Sequence, residues 1–119
     1  MMRSLYAVVA AAIILLGLVH VGATFALFDG LTSRAIWFAS GGLALIFTGL
    51  FNLLNRAYGP IAPGLRWATV GVDAVMTLFA LLAGMADAAP VAQIAAIAGT
   101  MLAATLLSLR PAGMTGPAA

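Results

Sequence analysis

One carboxylate and one imidazole stand out in this sequence because each lies inside a long apolar run. Asp73 follows Arg66 by seven residues, within the run from Trp67 to Met85. At 1.5 Å per helical residue it falls roughly 10 Å below the boundary that Arg66 marks. A charge at mid-membrane costs about 2.5–3.5 kcal/mol on insertion scales, so Asp73 needs either a partner or a task. Thr69, Asp73 and Thr77 share a helix face at i, i+4 spacing, continued by Ala80 and Gly84. Asn52, four residues before Arg56 on the preceding run, falls at a similar depth and offers an amide donor to the carboxyl. Two chemistries fit Asp73, Asn52, Thr69 and Thr77: a polar clamp that sets the register of two helices, or a proton or cation site. Arg56 and Arg66 could turn inward to neutralise the carboxylate, against the habit of long cationic side chains to reach for water.

His20 lies roughly 12 Å from the far end of the first run, with Gly17 and Thr24 on its face. That depth is roughly 8 Å beyond Asp73 across a 30 Å core, so no direct His–Asp relay is expected. A neutral imidazole can hydrogen-bond across a helix bundle, and histidine also titrates near neutrality. As a ligand, His20 from two copies would give bis-histidine coordination of haem; no other cofactor is expected. The absence of Cys removes disulfides, thiolate metal sites and thiol catalysis. A single His makes no metal cage or histidine-based triad within one chain. Paired carboxylates at helical spacing, a Gly-rich phosphate cradle, a nucleophile elbow and an HExxH motif are all missing. A non-enzyme is the expectation.

The elements that position these residues follow from composition. Of 119 residues, 65% are hydrophobic and 7% charged, with five Arg, three Asp, no Lys and no Glu. Ordinary water-soluble chains carry about 25% charged residues, so the solvent expected here is lipid. A bilayer core about 30 Å thick takes about 20 apolar residues per helix. Four such runs occur, at about 5–28, 35–54, 67–85 and 91–109. Asp29-Gly30, Asn55-Arg56 with Gly59-Pro60, and Asp87 with Pro90 punctuate them, and Arg110-Pro111 ends the last. The expected fold is therefore all-α, a single integral membrane four-helix bundle over 1–111 in up-down-up-down order. Residues 112–119 read as a poorly ordered tail. Arg3, the first apolar stretch and Val21-Gly22-Ala23 imitate a signal peptide, but the run is longer than a typical h-region; it is read as a helix.

Short loops make successive helices antiparallel neighbours. Arg3, Arg56, Arg66 and Arg110 then share one side, and only Arg34 joins Asp29 and Asp87 on the other. Positive residues stay cytoplasmic, so both termini are expected in the cytoplasm. Tyr6, Tyr58 and Trp67 read as aromatic anchors at the inner interface, and Phe28, Trp37 and Phe38 at the outer. Asp29 and Asp87 read as helix caps. The net charge of +2 and a pI near 10.0 come from the inner arginines; they suit anionic headgroups rather than nucleic acid.

Small residues drive helix association where lipid removes the hydrophobic gain. In the last run Ala88, Ala92, Ala96, Thr100, Ala104 and Ser108 recur every fourth residue, flanked by Ala95, Gly99 and Ala103. The second run has Ala35, Gly42 and Gly49 at heptad spacing, and the first has Gly22 and Ala26. These faces are expected to pack within the bundle first and against a second copy or another membrane subunit next.

The segment Leu16 to His20, the turn Asp29-Gly30 and the stretch from Trp37-Phe38 through Gly41-Gly42 to Asn52 together resemble uncharacterised small bacterial four-helix membrane proteins. The resemblance covers the first half of the chain, implies a bacterial inner (plasma) membrane location, and assigns no activity. Small multidrug-resistance transporters depend on a Glu in helix one, which this chain lacks. Dual-topology fluoride channels follow Gly-Gly with an Arg pattern absent after Gly41-Gly42. The leading functional expectation is an accessory or structural subunit of a larger membrane complex. A small oligomeric transporter or channel using Asp73 and Asn52 comes second, and a haem-binding subunit using His20 third.

Overall fold

The computed structural model describes residues 1–110, an all-helical chain of α1 (Met2–Leu27), α2 (Ser33–Tyr58), α3 (Pro63–Met85) and α4 (Val91–Ser108). The expected tail at 112–119, and Pro111, lie outside the described residues. All four helices are long and apolar enough to cross a membrane. At 26 residues each, α1 and α2 reach roughly 39 Å. The helices pack lengthwise into a body of 48 × 24 × 24 Å. Large apolar side chains face outward along all of it, among them Phe25, Phe79 and Val91, an arrangement suited to lipid and not to water.

The helix ends differ from a reading of charges alone. α2 continues through Asn55 and Arg56 to Tyr58, because polar residues need not stop a helix where its end reaches water, and a cation in the last turn suits the helix dipole. α3 starts at Pro63, where a missing N–H costs nothing. Neither Asp29 nor Asp87 caps a helix. The α2 cap is Thr32, whose hydroxyl accepts from the Ala35 amide at 3.1 Å. Asp87 takes a left-handed backbone, φ 54°, in the turn that ends α3, and Pro90 precedes α4 without a side-chain cap.

The broadest contact joins α1 to α2, followed by α3 to α4. The first is a glycine seam in which residues rising along α1 meet residues falling along α2. A Cβ on Gly17 would stand 2.6 Å from Gly42 O, and one on Gly49 would stand 2.8 Å from Ala10 O. Backbone therefore lies on backbone at Gly42 and Gly49, and Ala35, at the same heptad spacing, is buried as well. Beside it an apolar core forms from Ile13, Leu45, Met101 and Ala104, with Val9, Leu16, Met76 and Ile97 packed against them.

Two small-residue faces are not used within the chain. Gly22 meets nothing within 4 Å, and Ala26 is exposed. On α4, Ala92, Ala96 and Gly99 are exposed, Thr100 and Ala103 half-buried, and only Ala104 and Ser108 at the far end are buried. The reason is helical geometry. A step of four residues advances about 400°, so an every-fourth-residue line drifts about 40° per step. Ala92 and Ser108 thus point about 160° apart and cannot share one contact face.

The seam yields a directional prediction. Gly17→Ala should lose about 1–3 kcal/mol through backbone overpacking, whereas Gly22→Ala should be neutral or gain up to about 1 kcal/mol from helix propensity. Reversible unfolding in mixed detergent–SDS micelles, followed by helicity, measures both.

Candidate functional site

Asp73 is fully buried on α3, and Asn52 is fully buried opposite it on α2. Asn52 Nδ2 donates to Asp73 Oδ1 at 2.7 Å and to Thr48 O, one turn back on its own helix, at 3.0 Å. Its Oδ1 accepts from the Tyr6 hydroxyl of α1 at 2.7 Å. Asn55, one turn further along α2, donates through Nδ2 to the same Tyr6 oxygen at 2.9 Å. A single amide thus links three helices. Ser108 brings in the fourth: its hydroxyl donates to Thr105 O at 2.9 Å and stands as a second polar neighbour to the Asp73 carboxyl.

Asp73 Oδ2 is buried without a hydrogen-bond partner. Neither Arg56 nor Arg66 turns inward to it. Arg66 instead caps the end of α4, with Nη2 donating to Leu109 O at 2.7 Å and Nε to Ser108 O at 3.4 Å. Its guanidinium also lies 5.4 Å from the Trp67 ring centre, a cation–π distance. Arg56 Nε donates to Arg3 O at 2.9 Å, tying the start of α1 to the end of α2. The threonines expected beside Asp73 bond chiefly to their own helix, with longer contacts of 3.4 Å from Thr69 to Phe51 O on α2 and between the Thr77 and Thr105 hydroxyls of α3 and α4. Thr69 Oγ1 donates to Leu65 O at 2.8 Å, and Thr77 Oγ1 donates to Asp73 O at 2.7 Å. The structure therefore joins Asp73 to Asn52 but turns the hydroxyls of Thr69 and Thr77 away from the carboxyl.

The polar layer and the apolar core keep a regular offset. Tyr6 and Ile13, Asn52 and Leu45, and Ser108 and Met101 are each seven residues apart, or two turns and roughly 10 Å. Polar groups thus gather at the end that holds Arg3, Arg56, Arg66 and Arg110, with an apolar layer directly behind them. Tyr6, Asn55 and Ser108 also line a small cavity there, of about 20 Å³, together with Arg56, Arg66 and Arg110. That volume holds about one water molecule. At the opposite end, a wider and mainly apolar groove runs past Val21, Phe25, Leu31 and Leu43.

His20 sits far from this layer. Fourteen residues separate it from Tyr6, roughly 21 Å along α1. Its ring stacks on Phe38, with centres 3.9 Å apart and planes 14° apart, and its edge faces Gly41. A haem-ligand role would require the ring to leave Phe38 and turn toward a second copy. Phe38 therefore packs against His20 rather than serving as a free interfacial anchor. Tyr6 likewise is buried in the polar layer, whereas Tyr58, Trp67 and Trp37 remain exposed.

Sequence reasoning missed Tyr6, Asn55 and Ser108 as members of the layer. Thr48, Asn52 and Asn55 at i, i+4 and i+7 marked a polar stripe on α2, but Asn55 beside Arg56 read as a boundary.

Tyr6→Phe removes the hydroxyl that serves both asparagines, and should cost about 1–3 kcal/mol. Tyr58→Phe, at an exposed position, should leave stability unchanged in the same micellar unfolding assay. Compared with known proteins, the chain matches no family model, no curated protein and no solved structure.

Proposed function

We propose that the chain is a multi-pass protein of the bacterial inner membrane, and that it acts as a non-enzymatic accessory subunit of a larger membrane complex. One observation carries this reading: the polar side chains close on one another at one end, and Ile13, Leu45, Met101 and Ala104 stand behind them as an apolar layer. Among the described residues, only hydroxyls such as Thr48 and the Thr77–Thr105 pair carry polarity on from this cluster toward the apolar layer, and the described helices leave little mass for chemistry outside the membrane. The four helices cross in up-down-up-down order. Both termini lie in the cytoplasm, on the side of Arg3, Arg56, Arg66 and Arg110, in keeping with the positive-inside rule. The exposed small residues Ala92, Ala96 and Gly99 of α4 are the face offered to a neighbouring subunit.

A second reading has its own observation in the unpartnered Asp73 Oδ2. A buried carboxyl with one free oxygen can hold and release a proton, which suits a small oligomeric transporter in which Asp73 and Asn52 line the path. This reading requires the apolar layer to part during each cycle.

Mild-detergent purification of the tagged chain from native membranes, followed by mass spectrometry, tests the proposal. The expected result is a stoichiometric membrane partner, retained by Asp73→Asn and weakened by Ala96→Leu with the chain's own stability unchanged. A pure homo-oligomer would overturn it, and proton-driven uptake in proteoliposomes abolished by Asp73→Asn would establish the second reading instead. A reporter fused after Arg110 should be active only in a form that works in the cytoplasm.

A further inference from the structure

We infer that the cavity at the arginine-rich end is a phosphate-binding site, for the phosphodiester of an anionic phospholipid or for free phosphate. Three arginines from three separate elements line it: Arg56 near the end of α2, Arg66 in the first turn of α3, and Arg110 just after α4. No carboxylate is among the described lining residues. A role in orienting the chain requires arginines on one side of the membrane, but it does not require them to converge. Converging like charges repel unless an anion joins them.

The donor geometry suits phosphate. Each guanidinium carries five N–H donors in a planar fork that matches phosphate oxygens. Arg66 uses two of its nitrogens on the carbonyls at the end of α4, and Arg56 uses Nε on Arg3 O. These bonds fix both stems against the helices and leave further donors for a ligand. The remaining lining is neutral, with Tyr6, Asn55 and Ser108 beside Leu107, Gly59 and Pro60. Its volume of about 20 Å³ admits one phosphate oxygen, so the rest of the group would lie outside it and within reach of the long arginine side chains. Arg66 against exposed Trp67, and exposed Tyr58 nearby in the chain, give the rim the amphipathic character of a headgroup boundary.

The test uses the full chain, delipidated and placed in nanodiscs of phosphatidylcholine, with phosphatidylglycerol or with millimolar inorganic phosphate added. Native mass spectrometry reads retained lipid, and thermal unfolding reads protection. Wild type should retain phosphatidylglycerol over phosphatidylcholine, and Arg56→Gln with Arg110→Gln should weaken that retention roughly thirtyfold. Arg34→Gln, at the other end, should match wild type. Arg110→Gln alone keeps the assay decisive if the double variant misfolds, because Arg110 lies beyond α4 and its side chain supports no helix end described above. Retention of phosphatidylglycerol that phosphate does not displace assigns the site to a lipid headgroup. Protection by phosphate in phosphatidylcholine alone assigns it to the free ion. Absence of both effects, or an equal loss in Arg34→Gln, overturns the inference.

Discussion

Everything in this chain depends on how a few polar side chains satisfy one another where water is scarce. In hydrocarbon an unsatisfied polar group costs several kcal/mol, so each donor must find an acceptor within reach. Asn52 does most of this. Its amide nitrogen donates both to Asp73 and to Thr48 O on its own helix, and its oxygen accepts from the Tyr6 hydroxyl. Because those partners sit on α1, α2 and α3, the requirement to satisfy one side chain sets the mutual register of three helices. The glycine seam then fixes the distance between α1 and α2, while Arg66 closes the end of α4 against α3.

The two kinds of contact divide the labour. Apolar packing alone would let helices slide by a turn in lipid, where Leu against Leu gains little over Leu against an acyl chain. Hydrogen bonds resist that sliding, since a shift of one residue leaves Asn52 and Asp73 both unmet. The seven-residue offset between the polar and apolar layers repeats in three helices, so a single two-turn spacing aligns both layers at once.

How far the sequence revealed this varied with the kind of signal. Depth counted from an arginine was enough to pair Asn52 with Asp73, because rise per residue is nearly constant in a helix. The same counting kept His20 away from Asp73. Boundary residues were less legible: Asn55 looked like the end of α2 only because it stands beside Arg56, yet it turns inward to Tyr6. Small residues were the least legible. They show that a backbone can approach closely, not what approaches it, so the seam at Gly17 and Gly42 and the exposed Gly99 look alike in sequence. Capping failed for a related reason. Asp29 and Asp87 have the right side chains, but backbone geometry assigned the α2 cap to Thr32 and the left-handed turn to Asp87.

The helices also differ in length: α1 and α2 have 26 residues and α4 has 18. At 1.5 Å per residue the difference is roughly 12 Å, and α4 spans roughly 27 Å. The extra length of α2 is polar, carrying Ser33 and Arg34 at one end and Asn55 and Arg56 at the other, so the contrast that matters is a short α4 that falls slightly below a typical hydrocarbon core. A bilayer meeting such a body would thin beside α4, at a modest elastic cost per ångström. Such thinning would lie along α4, whose Ala92, Ala96 and Gly99 are exposed. Elastic relief would then draw a second short helix to this flank, so bilayer strain itself gives the molecule a preferred side.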